Sequence, residues 1–146
     1  MSETTPEHYL PGLAQPAPTA DGLDAPFWEG SRRHRLVLQN CNTCGRFQMP
    51  PEWLCHHCHS FDLTWKEVAG EGVIYSWMRV HHTSLPSIRD RVPYLVVVVE
   101  LPAADKVKLV GNLLGDPHCP VAIGASVEVV FEDHEQATLV HWRPAR

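Results

Sequence analysis

The chain has no apolar run long enough to cross a bilayer; Tyr94–Val99, its most apolar stretch, is only strand-sized. Positive charge is also scarce. Lys and Arg number 12 against 17 Asp and Glu, a formal net charge of −5. That balance argues against a general nucleic-acid binder, which gathers Lys and Arg where the phosphates lie. Glycine-rich phosphate cradles, paired-carboxylate motifs and serine-nucleophile motifs are absent as well. Met1–Asp24 shows neither the basic start nor the apolar core of a secretory signal. A cytoplasmic protein without a membrane is therefore the expectation.

Cysteine is present in a specific pattern. Cys41-Asn-Thr-Cys44-Gly45 is followed, after a short loop, by Cys55-His-His-Cys58. A two-residue spacer lets the backbone curl so that both sulfurs of a pair face one way, and two such knuckles complete a tetrahedron. Gly45 suits a knuckle turn because glycine tolerates positive φ, and Pro50-Pro51 stiffens the loop between the pairs. Two disulfides would need an oxidising compartment. Redox CxxC pairs usually open a helix beside a βαβ pattern, which this Pro- and Gly-rich segment does not offer. Rubredoxin-type iron uses the same four sulfurs, but the second knuckle continues as Cys58-His59 without the glycine of the first. Zinc held by Cys41, Cys44, Cys55 and Cys58 is the favoured reading, with His56, His57 and His59 as exposed neighbours of a full ligand set. Four thiolates leave no position for water, so the zinc is expected to be structural.

Along the chain, residues 1–23 read as a flexible Pro-rich leader, for which Tyr9-Leu10 would be the anchor of an arm that orders on binding. Residues 24–35 read as a short helical segment, with Asp24 as N-cap and Pro26 in the first turn. Phe27 and Trp28 on that helix are too large to leave wet without reason and are candidate partner-binding residues. Arg32-Arg33-His34-Arg35 is the one basic cluster. Residues 36–66 read as the zinc ribbon, opened by the strand Leu36–Gln39 and closed by Phe61–Trp65. After a break at Gly70-Glu71-Gly72, residues 67–146 carry five strands: Val73–Val80, Tyr94–Leu101, Lys106–Leu114, Ser126–Glu132 and Thr138–Trp142. Tyr94–Leu101, rich in β-branched residues, is expected to be the most buried. Five short strands without helix between them predict a mainly β protein ending in a five-stranded barrel, for which an OB-fold is the commonest form.

These residues carry a family resemblance. Phe27-Trp28-Glu29-Gly30 leads to Leu36…Gln39-x-Cys41-x-x-Cys44-Gly45, Pro50-Pro51, Cys55-x-x-Cys58 and Trp65. Gly70-x-Gly72-x-Ile74-Tyr75-Ser76, Pro93-Tyr94, Val99-Glu100-Leu101, Ile123-Gly124-x-x-Val127-x-Val129-x-Phe131-Glu132 and Arg143-Pro144 follow in order. From about Ala25 onward the chain resembles the DUF35 family: an N-terminal helical segment, a rubredoxin-like zinc ribbon and a C-terminal OB-fold. The resemblance implies a non-catalytic accessory or scaffold subunit of a thiolase-fold enzyme (thiolase, acyltransferase or steroid side-chain aldolase) that acts on acyl-CoA thioesters. It implies a hetero-oligomer in which the small subunit supports the partner's active site, with the CoA thioester at the partner interface.

Catalysis by this chain alone finds little support. Cys119 beside His118 has the residue types of a nucleophile and its base, but adjacency in a Pro-flanked loop does not orient them. His81-His82, near Arg89 and Arg91, lies at a strand end where such a barrel can meet a ligand. Arg89 and Arg91, or the cluster Arg32–Arg35, have the charge to meet CoA phosphates, and the residues do not choose between them. The alternative from another class is a zinc-ribbon and OB-fold protein that binds single-stranded nucleic acid, stacking bases on Tyr75, Trp77 and Tyr94. The acidic balance opposes it.

Overall fold

The computed structural model describes residues 8–146, so the first part of the expected leader, residues 1–7, lies outside the described residues. From His8 to Asp24 the chain is irregular, made of turns and extended backbone. The expected anchor Tyr9 rests on its own barrel: its hydroxyl accepts the Leu95 N–H at 3.5 Å and its N–H donates to Glu132 Oε1 at 3.1 Å.

Among the described residues one α-helix, α1, spans Ala25–Arg32 with Pro26 in its first turn. Asp24 precedes it as expected but makes no side-chain cap. Its carboxylate instead accepts the Trp28 indole N–H at 2.8 Å, so the indole one turn on takes the place of the backbone donors. Gly30 allows α1 to lie against the next strand: a Cβ there would sit 2.6 Å from Val37 Cγ2. His34, at φ 57°, reverses the chain out of the helix.

Strands β1 (Leu36–Cys41), β2 (Phe47–Gln48) and β3 (Leu63–Val68) form an antiparallel sheet in the order β2-β1-β3. The closing strand therefore starts later than expected: Phe61 is left outside it, 77% exposed. Only Ala69 and Gly70 separate β3 from β4 (Glu71–Val80), the first strand of the second sheet. That sheet adds β5 (Tyr94–Leu101), β6 (Val107–Asn112), β7 (Ser126–Asp133) and β8 (Thr138–Pro144), in the order β6-β5-β4-β7-β8. Its two edges come together where Leu113 bridges Trp142 and the Leu114 N–H donates to the Trp142 carbonyl at 2.8 Å. The result is a nearly closed five-stranded antiparallel barrel, and the protein is mainly β as expected.

In β5 burial alternates strictly: Leu95, Val97, Val99 and Leu101 are 0% exposed while the residues between them are half-buried. A run of apolar residues thus fills the barrel with one face and shields neighbouring strands with the other. Phe27 of α1, Leu36 and Leu38 of β1, and Ile74, Leu95, Val97, Val99, Val127 and Trp142 of the barrel belong to one core. Each such side chain contributes about 1.5–3 kcal/mol by leaving water, so helix, ribbon base and barrel stabilise one another. Among the described residues no helix is long and apolar enough to cross a membrane.

At Gly72, β4 lies close against β5. A Cβ there would stand 2.3 Å from Val99 Cγ1 and 2.9 Å from the Glu100 carbonyl oxygen. Backbone cannot yield as a side-chain end can, so Gly72→Ala is expected to destabilise the protein by about 1–3 kcal/mol. Urea unfolding checks this; a midpoint equal to wild type would show that β4 can shift freely.

Candidate metal centre

The first knuckle is folded by the residues between its cysteines. The Gly45 N–H donates to the Cys41 carbonyl at 2.8 Å, Gly45 itself lies at φ 80°, and the Cys41 N–H returns to the Arg46 carbonyl at 2.9 Å. The second repeats the design, His59 N–H to Cys55 carbonyl at 3.0 Å and Cys55 N–H to Ser60 carbonyl at 2.9 Å. His59 takes the left-handed turn at φ 62°. A non-glycine residue there carries a strain of roughly 1–2 kcal/mol. This settles how the second knuckle manages without the glycine of the first.

The four sulfurs converge. Cys41 Sγ and Cys58 Sγ are 3.6 Å apart, as are Cys44 Sγ and Cys55 Sγ, and all four lie within 4.8 Å of one another. A tetrahedron with metal–sulfur bonds of about 2.3 Å has edges of about 3.8 Å. The Cys44 N–H, 3.5 Å from Cys41 Sγ, is the largest influence on that thiol and lowers it to about 6. Backbone N–H groups, led by that of Cys58, lower Cys55 too. Cys58 also feels a lowering N–H from Ser60, but lost hydration and sulfur neighbours that hold protons outweigh it and push it up to about 11. Two thiols that ionise readily against two that resist is what crowded sulfurs do without a cation; a soft dication lets all four ionise. The residues fit zinc.

The loop joining the knuckles is clasped by two buried glutamines. Gln48 Nε2 donates to Gln39 Oε1 at 2.6 Å and to the Leu54 carbonyl at 3.1 Å. Gln39 exchanges bonds with the backbone of Glu52, and Gln48 Oε1 accepts the His56 N–H at 2.8 Å. Of the neighbouring histidines, His57 Nδ1 accepts from Arg46 Nη1 at 3.0 Å, and all three are exposed on the knuckle. Sequence reasoning did not single out these glutamines, although polar residues in a strand beside a metal knuckle are a usable signal.

The other candidates disperse. Phe27 is 9% exposed and part of the core; Trp28, packed edge-on against it, is half-buried. Trp28 lines a cleft of about 300 Å³ with Pro18, Thr19, Arg32, Arg33 and Gln136. The basic cluster is divided among acceptors: Arg32 donates to the carbonyls of His134 and Glu135 at 2.7 and 2.9 Å, His34 meets Asp133 at 2.8 Å, and Arg35 meets Glu67 at 3.5 Å. Arg89 and Arg91 sit exposed on the 3₁₀ segment Pro86–Arg91, and His81 and His82 are exposed beyond β4. Among the described residues His118 and Cys119 share no hydrogen bond; their loop is held by Arg79, which donates to the Pro117 and Cys119 carbonyls at 2.8 and 2.6 Å. Tyr75 is capped by Lys108 at 4.5 Å, and Trp77 is half-buried beneath Arg79 at 5.3 Å. Trp53, which sequence reasoning passed over, and Phe61, which it read as the start of the closing strand, stand 72% and 77% exposed beside the knuckles.

The fold and the site define a zinc-ribbon protein whose ribbon feeds an OB-type barrel. Residues 28–64 match the family described as "ChsH2, rubredoxin-like zinc ribbon domain", and residues 65–132 match "ChsH2, C-terminal OB-fold domain". A solved structure, "Ltp2-ChsH2(DUF35) aldolase", superposes with a TM-score of 0.77 at 35% identity, over 90% of this chain and 100% of that one. The chain belongs to the DUF35 family. A DUF35 protein of unknown function from Sulfolobus solfataricus shares the fold at 16% identity, with a TM-score of 0.62 over 86% of this chain and 87% of that one. Among curated proteins, a probable enoyl-CoA hydratase alpha subunit from Thermomonospora curvata is 35% identical over 92% of this chain and 41% of its own length. The 3-oxo-4,17-pregnadiene-20-carboxyl-CoA hydratase alpha subunit of Mycobacterium tuberculosis is 30% identical over 87% of this chain and 39% of its own. The chain thus spans about two fifths of these two relatives. A DUF35 domain-containing scaffold protein from Methanothermobacter thermautotrophicus is 28% identical over 68% of this chain and 74% of its own length.

Proposed function

We propose that this protein is a non-catalytic accessory subunit of a thiolase-fold enzyme that acts on acyl-CoA thioesters in the cytoplasm. The observation that carries the reading is the superposition of 90% of this chain on the whole of the chain in the structure "Ltp2-ChsH2(DUF35) aldolase". Relatives named as subunits of CoA-thioester hydratases, and one named as a scaffold, support it. The chemistry agrees. Four cysteines saturate a tetrahedral ion, so the ribbon metal has no position for a substrate or water. The four-cysteine site and the glutamine clasp instead make a stiff support that presents Trp53 and Phe61 to a partner. A rigid surface loses little conformational freedom on association. The acyl-CoA belongs at the interface with that partner, and Trp28, Trp53 and Phe61 are the aromatic anchors nearest to hand.

The test is co-expression with a thiolase-like protein of the same host, followed by native mass spectrometry and thioester turnover. Turnover by the pair but not by this chain supports the proposal; turnover by this chain alone refutes it. Trp28→Ala and Phe61→Ala are each expected to weaken assembly by about 2 kcal/mol, roughly 30-fold, if they are anchors. Native circular dichroism of each variant must be retained. Wild-type affinity in both variants would move the interface elsewhere.

A further inference from the structure

A second convergence of metal-binding side chains lies around the β7–β8 turn. Glu132, at the end of β7, is reached by His134 Nε2 at 3.1 Å and the Tyr9 N–H at 3.1 Å on Oε1, and by His141 of β8 on Oε2. The arm adds His8, whose ring lies 3.8 Å from that of His134 between centroids. One ligand atom from each of His8, Glu132 and His134 lies within 4.8 Å of the other two. The side chains of Glu132, His134 and His141 are 11%, 5% and 7% exposed.

From these groups we infer a second divalent transition-metal site, with His8, Glu132 and His134 as ligands, that fastens the N-terminal arm to the barrel. Three features support an ion over a simple hydrogen-bond cluster. His8 Nε2 lies 3.1 Å from the Asp133 carbonyl oxygen. A carbonyl only accepts, so Nε2 carries the proton and Nδ1 keeps its lone pair. A ligating histidine characteristically donates its other N–H to a backbone carbonyl or carboxylate in this way. The second oxygen of Glu132 is fixed by His141, as ligating carboxylates are fixed by a neighbouring donor. Finally, a nearly buried carboxylate surrounded by three imidazoles calls for a positive charge at its centre.

Two imidazoles and one carboxylate form a ligand set that zinc accepts, with a fourth position left for water. Ligand atoms about 2.0–2.1 Å from such an ion stand about 3.4 Å apart. The remaining distance, at most about 1.4 Å from the 4.8 Å now spanned, is within the reach of the irregular arm that carries His8. This site differs from the ribbon's four-cysteine centre in place, ligand type and open coordination. It requires nothing of the proposed accessory role.

The experiment is equilibrium dialysis of the untagged full chain against a micromolar free-zinc buffer, with bound metal counted per chain. Wild type is expected to hold two zinc ions, and His8→Ala and His134→Ala one each. His141→Gln is expected to weaken the second ion by about 10–100-fold. A His81→Ala/His82→Ala double variant should still hold two, which separates the site from exposed histidine pairs. His8 is on the arm outside every strand, so its variant keeps the fold even if His134→Ala does not. One zinc in wild type, or two retained in His8→Ala, would overturn the inference.

Discussion

Replacing Trp142 by alanine is expected to lower the unfolding free energy by about 3–5 kcal/mol, the usual loss for a large aromatic removed from a core. The indole is 0% exposed and belongs to the shared core. Its backbone is also the seam of the barrel, bridging Leu113 and accepting from Leu114. Gly111 lies against its ring, where a Cβ would meet Trp142 Cδ1 at 3.0 Å and Nε1 at 3.1 Å. The cavity left by alanine would therefore open at the seam, where little can collapse into it. Trp142→Phe is expected to cost much less than this. Among the described residues the buried Trp142 N–H has no acceptor, and phenylalanine removes that unsatisfied donor along with some volume. Urea unfolding of the two variants checks both values. Equal losses would mean that the indole N–H finds a partner in solution.

Cys41→Ser or Cys55→Ser is expected to take the ribbon zinc from one equivalent to none. Both residues are 1% exposed and each serves a different knuckle, so either loss leaves three soft ligands and one hard, more weakly binding hydroxyl. The knuckle turns, residues 42–45 and 57–62, should then exchange their amide hydrogens rapidly, while the Glu52 and His56 N–H groups held by the glutamines stay protected. Strand β1 should remain protected, because its six residue pairs with β3 and the burial of Leu36 and Leu38 do not depend on the ion. Metal analysis with hydrogen exchange reads both effects. A variant that keeps its zinc and its protected knuckles would show that His56, His57 or His59 can enter the ligand set.

Local features were the legible ones. The two cysteine pairs could be read because each knuckle is closed by bonds within a handful of residues, such as Gly45 to Cys41. The β-branched run of β5 and the break before β4 likewise lie within single strands or turns. What could not be read depends on distance along the chain. Arg32, His34 and Arg35 look like a basic patch when written side by side, yet Asp133, Glu67 and the β7–β8 turn draw them apart. Phe27 and Trp28 look equivalent, but only the packing of α1 on β1 decides that one faces the core and the other the cleft. The cluster around Glu132 joins His8 to residues more than a hundred positions later, and no periodicity announces such a meeting. Asp24 had the right residue type for a cap and lost that role to an indole one turn away.

The glutamine pair beneath the ribbon bears on how the metal comes and goes. Gln39 and Gln48 satisfy the backbone at Glu52, Leu54 and His56, between one cysteine pair and the next. Loop closure, ordinarily an entropic cost of gathering distant ligands, is thereby met by amide bonds that involve no sulfur. The two pairs then behave as one four-toothed chelator instead of two independent halves, each sulfur raising the local concentration of the next. A ribbon built this way can lose its ion and still keep the frame that captures another, so metal exchange need not pass through an unfolded chain.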